Sequence, residues 1–365
     1  MELKMPINTV SLFAGGGGLD LGFSAAGFNI VYSTDIDPYS CETLRINQKR
    51  KKFYSSHLVE ELDIKNLKKG AIYKKTGLNK GDIDFVIGGP PCQAFSVFGK
   101  RQGLGDPRGN LVYEYARIID ELQPRGFLFE NVSGLKTIHE GQLYKDLIKT
   151  LSFSGKYAVS AHEYEVAEYG IPQFRSRIII IGYLKGVAIP KMESSHAPAN
   201  ELFNCHVPFN TVKQALSGMP KPGSSENTFF NHVGREHSQR IIDRYRALGF
   251  GERDSATRIN KLHPKRPSYT IIVGSDKGGG KGHVHPYQPR EVTPRESARI
   301  QTFPDWWEFY GTGRHVIRQV GNAVPPLFAT QLALHVKNQL FAIDEKRTFG
   351  EIAKSLDLGF LLDDN

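Results

Sequence analysis

The chain has 365 residues, 39% hydrophobic and 23% charged, which suits one large folded core with a smaller one beside it. No apolar run approaches the ~20 residues that cross a bilayer, no leader pattern opens the chain, and three cysteines at unrelated spacings exclude a disulfide framework. The net charge of +9 is concentrated, because residues 182–290 hold 16 Lys+Arg against 8 Asp+Glu.

Thr9–Phe13 predicts a strand, and Leu19–Ala26 a helix. Between them, Phe13-Ala14-Gly15-Gly16-Gly17-Gly18 is a turn in which backbone N–H groups and a helix N-terminus can face a ligand. A second strand, Ile30–Ser33, runs toward Asp35, the usual place for a carboxylate that holds ribose hydroxyls. That signal suits nicotinamide and S-adenosylmethionine enzymes alike, and a structural glycine turn is its rival. Tyr39–Asn47 predicts the next helix. The buried strand Phe85–Ile87 then enters Gly88-Gly89-Pro90-Pro91-Cys92-Gln93, which delivers one thiol to the rim of a sheet. A thiol held there suits a nucleophile, although a lone buried cysteine is more often structural. The glycine-rich loop that follows carries Lys100, Arg101 and Arg108, suited to a phosphate backbone or to plain solvent.

Helices over Leu111–Leu122 and Gln142–Leu151 flank the strand Phe127–Phe129, which ends in Glu130-Asn131-Val132. A carboxyl group at that strand end is a candidate general acid, although taken alone it reads first as an ordinary capping or salt-bridged glutamate. Gln173-Phe174-Arg175-Ser176-Arg177 opens the strand Ile178–Gly182, and a period of two puts Arg175 and Arg177 on one face. Two guanidinium groups in one cleft can hold phosphate, carboxylate or a base edge, although arginines that merely flank a buried strand are common and do not need the alternation. The alternation over residues 1–181 predicts an α/β domain with a largely parallel sheet and its ligands at the carboxyl ends of the strands. Residues 182–290 are basic and rich in turns, and read as a small second domain whose charge either faces nucleic acid or is a solvated insertion without a partner. Order returns over 291–340, with helices Thr293–Gln301 and Pro326–Leu340, and the polar residues 341–365 predict a peripheral tail.

Six motifs in this order resemble the DNA (cytosine-5) methyltransferases. They are Phe13–Gly18, Pro91-Cys92-Gln93, Glu130-Asn131-Val132, Gln173-x-Arg175-x-Arg177, Arg295-Glu296-x-Ala298-Arg299-x-Gln301-x-Phe303-Pro304 and Gln319-Val320-Gly321-Asn322-Ala323-Val324. The resemblance spans residues 9 to about 335 and breaks only where that family places its variable target-recognition domain. It implies a Rossmann-like S-adenosylmethionine-dependent sheet carrying a small, irregular recognition domain. It further implies attack of Cys92 on cytosine C6, Glu130 at N3, Arg175 and Arg177 gripping a flipped nucleotide, and methylation at C5. The cofactor positions it implies are Phe13, Gly15, Gly17, Asp35, Ile36, Asp63, Ile64, Pro91, Asn322 and Val324. The helix at Arg295–Gln301 is expected to support the recognition domain. Neither the motifs nor this chemistry calls for a metal.

Residues expected at DNA are Lys100, Arg101, Arg108, Arg235, Arg240, Arg258, Lys265 and Arg266, each able to touch phosphates or base edges alike. The resemblance implies a bacterial or phage enzyme, cytoplasmic, acting as a monomer on double-stranded DNA and paired with a restriction endonuclease. A dehydrogenase leaves Pro-Pro-Cys-Gln and the arginine pair without a role. An amino-methyltransferase would place Tyr or Phe where Cys92 stands. A tRNA cytosine-5 methyltransferase shares the catalytic motifs, but the Cys-Phe-Thr signature of that branch does not occur here. A non-catalytic DNA-binding relative is the remaining rival, and every catalytic position is filled.

Overall fold

The structure is a computed structural model that describes residues 6–50, 57–91, 111–136, 141–184, 189–198, 207–271, 273 and 282–362. Cys92, Lys100, Arg101 and Arg108 lie outside the described residues.

Seven strands form one sheet: β1 (Ile7–Leu12), β2 (Phe28–Asp35), β3 (Leu58–Glu61), β4 (Phe85–Gly88), β5 (Gly126–Val132), β6 (Tyr157–Glu165) and β7 (Ser176–Leu184). Their order is β3-β2-β1-β4-β5-β7-β6. The first five pair in parallel, whereas β7 runs antiparallel to both of its neighbours. Parallel pairs need crossovers, and the helices α1 (Gly18–Ala25), α2 (Pro38–Gln48), α3 (Ala71–Thr76), α4 (Leu111–Leu122) and α5 (Gln142–Leu151) occur between the strands. The α/β fold expected from the sequence is therefore the one observed. The unforeseen strands β3 and β6 are the two sheet edges. An edge strand is not covered on all sides, so it lacks the continuous apolar run that marks a central one.

Alternation along the strands divides the interior into two apolar layers. In β7, Ile178 and Ile180 enter the layer under α4 and α5, while Ile179 and Ile181 enter the layer under α1. Each such side chain contributes roughly 1.5–3 kcal/mol when buried. The α1 side is completed by α8 (Pro294–Ile300), α9 (Gly313–Asn322) and α10 (Pro326–Phe341). These return so closely that a Cβ on Gly18 would lie 2.1 Å from the Val324 carbonyl oxygen. Arg295 in α8 is fully buried and donates to the carbonyls of Phe230 (2.9 Å), Pro304 (3.0 Å) and Trp307. It ties residues of the basic segment to the main body of the fold.

The basic segment contributes α6 (Val212–Ala215), α7 (Gln239–Ala247) and a short parallel pair, β8 (His196–Ala197) and β9 (Val207–Pro208). It has a small core of its own around Tyr245, Ile259 and Val284. Ile189, Val212, Ala215, Leu262 and Ile271, however, join the large α1-side core. The C-terminal residues correct an expectation: they are not a peripheral tail. Helix α11 (Phe349–Ser355) and the turn after it bury Ile352, Ala353, Leu356, Leu358, Phe360 and Leu361, and the Arg299 guanidinium sits 4.5 Å over the Phe360 ring. Polar residues between these positions masked their apolar face.

One buried acid links the first two strands to α1. Asp20 accepts hydroxyl hydrogen bonds from Ser11 and Ser33, both at 2.6 Å, and burial pushes its pKa up to about 6. A raised carboxyl pKa favours the folded state fully below the unfolded value of 3.8, and that contribution is lost as pH rises through about 6. The loss amounts to about 2 kcal/mol between pH 4 and pH 8. Asp20→Asn removes this titration, so urea unfolding should show the variant gaining on the wild type by that amount across the interval. Parallel stability curves would show that Asp20 does not titrate there.

Candidate active site

The reversed direction of β7 builds the site. In an all-parallel sheet the start of β7 would lie at the edge opposite the end of β5. Because β7 is antiparallel, Val132 pairs with Arg177 and Glu130 with Ile179, so the arginines meet the carboxyl end of β5. Glu130 and Arg177 are diagonal neighbours on one face of this pair. Arg177 Nε lies 2.8 Å from Glu130 Oε1, in an ion pair whose N–H is not aligned for a hydrogen bond. Both side chains are almost covered, at 12% and 11% exposure, where loss of one partner typically costs 3–5 kcal/mol.

Arg175 is 1% exposed, and none of its three guanidinium nitrogens has a hydrogen-bond partner among the described residues. Burial, and then Arg177, push its pKa down to about 9, while Glu130 and Glu165 oppose the shift. It stays cationic at neutral pH. A buried cation with unused donors is costly unless a ligand completes it.

The turn after β4 is held against this pair. A Cβ on Gly89 would lie 2.7 Å from Glu130 Oε2, so the carboxylate can approach only because residue 89 has no side chain. Asn131 Nδ2 donates to the Pro90 carbonyl at 3.0 Å. Pro91 is exposed, and Cys92 follows it directly.

The expected cofactor positions gather at the ends of β1 and β2. Phe13 has a left-handed backbone (φ 56°), which is strained for a side chain of that size. A Cβ on Gly15 (φ 53°) would meet none of the described residues within 4 Å, so this part of the turn is open among them. Gly17 (φ 82°) instead packs against Leu44 and Trp307, at 2.6 and 2.7 Å from an added Cβ. Asp35 accepts the N–H groups of Gly15 and Asp37, both at 2.8 Å, and burial raises its pKa. Its oxygens keep further lone pairs for hydroxyl donors. Ile36 is 66% exposed, an apolar surface with no cover.

Ile64 is buried, and Asp63 accepts the Lys65 N–H at 3.0 Å, so this pair also shapes its own turn. Arg318 of α9 pairs with Asp37 at 3.0 Å, which brings the end of α9, with exposed Asn322 and buried Val324, toward the glycine turn. An open glycine face, a carboxylate and an uncovered apolar side chain fit the sulfonium chain, ribose and adenine of S-adenosylmethionine. Among the described residues, no group of three or more His, Cys, Asp or Glu could hold a metal ion.

The basic segment sorts into locked and available charges. Arg244 makes a two-pronged pair with Asp254 (2.9 and 2.8 Å), and Arg290 another with Glu296 (2.8 and 2.6 Å). Arg235 lies 3.6 Å from Glu291 but is largely exposed. Arg240, Arg258, Lys265 and Arg266 are exposed and have no acidic partner among the described residues. Glu165 is the contributor that sequence reasoning missed. It ends an edge strand with a weak apolar pattern, yet its carboxylate accepts the Arg175 N–H at 2.5 Å.

The profile of the family "C-5 cytosine-specific DNA methylase" matches residues 7–338. The chain is 32% identical to the type II methyltransferase M.XorII of Xanthomonas oryzae, over 92% of this chain and 86% of that protein. It is 34% identical to M.NgoFVII of Neisseria gonorrhoeae, over 89% and 84%. Among solved structures, a candidate DNA modification methyltransferase encoded within an E. coli prophage superposes with a TM-score of 0.72 at 29% identity, covering 92% of this chain and 99% of that one.

Ile36→Ser removes an exposed apolar side chain and should leave the melting temperature unchanged. Calorimetric titration should show S-adenosylmethionine bound about 10-fold more weakly, the loss of roughly one stacked apolar contact. Unchanged affinity would remove Ile36 from the cofactor site.

Proposed function

The chain belongs to the C-5 cytosine-specific DNA methylases, of the restriction-modification type and dependent on S-adenosylmethionine, and from that premise we propose how its own residues act. A target cytosine leaves the duplex, because its C5 and C6 atoms are inaccessible in a stacked helix. The Cys92 thiolate adds to C6, which ends the aromaticity of the ring and makes C5 enamine-like. Glu130 takes up a proton from solvent as the base enters, donates it to N3 as negative charge develops there, and takes it back when the ring is restored. The electrophile is the sulfonium methyl of bound S-adenosylmethionine. A base then removes the C5 proton, and expulsion of the Cys92 thiolate restores the ring.

Phe13, Gly15, Asp35, Ile36 and Asn322 would hold the cofactor, with Gly17, Asp63, Ile64, Pro91 and Val324 shaping its surroundings. Arg177 orients Glu130, and Arg175 offers its unused donors to the extruded nucleotide. The observation that carries this reading is the Glu130 carboxylate, ion-paired with Arg177 and lying over Gly89, three residues before Cys92. Residues 182–290 choose the cytosine. Arg240, Arg258, Lys265 and Arg266 are the first candidates for contact with duplex DNA, followed by Arg235 and by Lys100, Arg101 and Arg108. The biological role is protection of host DNA from a cognate restriction endonuclease, by an enzyme acting as a monomer on its site.

A duplex with 5-fluorocytosine at the target should trap a covalent adduct, because fluorine cannot leave as a proton does. Cys92→Ala should lose both the adduct and methyl transfer while still binding cofactor; turnover by that variant would remove Cys92 from the mechanism. Exchanging residues 185–285 for those of a relative should change the sequence methylated, read by bisulfite sequencing, but leave the product as 5-methylcytosine. An unchanged site would place specificity elsewhere.

A further inference from the structure

Arg175 is held from behind by a residue to which no role has so far been given in the reaction. Glu165 ends β6, opposite Ser176 in the register with β7. Its Oε1 accepts the backbone N–H of Arg175 (2.5 Å) and of Ala167 (3.4 Å), and its Oε2 accepts the Ser176 hydroxyl (2.8 Å). The Val166 N–H donates to the Arg175 carbonyl at 3.1 Å, so both peptide planes of Arg175 are fixed from the end of β6. Among the described residues, three charged groups act on the Arg175 guanidinium: Arg177 on its own strand, Glu130 on β5 and Glu165 on β6. Glu130 is shared with Arg177 and, in the reaction above, with the cytosine ring. Only Glu165 remains as a counter-charge that the chemistry does not touch.

We propose that Glu165 is a positioning residue for the arginine pair. It fixes the backbone at Arg175 and Ser176, and it supplies the constant negative charge that keeps the buried Arg175 guanidinium available to the extruded cytosine nucleotide. This inference rests on the reading of Arg175 as a nucleotide-gripping residue. It adds the end of β6 to the group of strand ends that surround the arginine pair.

The test uses the full chain with Glu165→Gln, Glu165→Ala and Ser176→Ala. Four quantities are measured: kcat, KM for duplex, cofactor affinity, and the rate of adduct formation on 5-fluorocytosine duplex. Glu165→Gln keeps an acceptor for the Arg175 N–H and loses the charge, so kcat and adduct rate should fall about 10-fold. Glu165→Ala loses both and should fall about 100-fold, the scale of one or two charge-assisted hydrogen bonds. Cofactor affinity and duplex KM should stay within about 3-fold, and Ser176→Ala, which leaves the charge in place, should be similarly mild.

Wild-type adduct rates in both Glu165 variants would overturn the proposal. So would losses matched by equal losses of cofactor affinity and melting temperature, the mark of a merely structural residue. If Glu165→Ala does not fold, the milder Glu165→Gln still separates these outcomes. Failure of the wild type itself to form the adduct would instead sink the underlying reaction scheme.

Discussion

The ion pair between Glu130 and Arg177 is the constraint around which the rest of the site is arranged. Two charges so nearly covered are tolerated only when each has the other, and the pairing requires β7 to run against β5. A single reversed strand therefore decides the chemistry of the edge. It brings the start of one strand to the ends of the others and sets Arg175 two residues further along the same approach. The next residue of β5, Asn131, fixes the Pro90 carbonyl, so the strand that carries Glu130 also steers the chain segment that runs on toward Cys92 in sequence.

The glycine turn serves two structures at once. Gly15 is open among the described residues, whereas Gly17 and Gly18 exist so that Leu44, Trp307 and the Val324 carbonyl can come close. The surroundings of the glycine turn are consequently finished by residues some 300 positions away, through the return of α9 and α10. A side chain at Gly18 would force α1 and the Val324 carbonyl apart. The strained backbone at Phe13 belongs to the same turn.

The basic segment is less a free-standing module than its composition suggests. Several of its apolar residues enter the main core, and fully buried Arg295 bonds to carbonyls on both sides of the junction. Part of its positive charge is consumed by two-pronged pairs with Asp254 and Glu296. What remains for a polyanion is a smaller, exposed set, so net charge overstates the charge available for recognition.

The central strands, the glycine turn and the residues Glu130, Arg175 and Arg177 were legible in the sequence. Strands buried on both faces must be continuously apolar, and polar residues at their ends stand out against that background. The edge strands β3 and β6 and the amphipathic residues of α11 were not, because partial exposure permits polar residues that blur the period. Glu165 was hidden for the same reason. Local order along the chain determined which residues could carry the chemistry. Only the tertiary structure decided that β7 reverses, that Glu165 backs Arg175 and that Gly18 meets Val324. Strand direction and distant partners are set by packing between segments far apart in the chain, and no local pattern of residues encodes them.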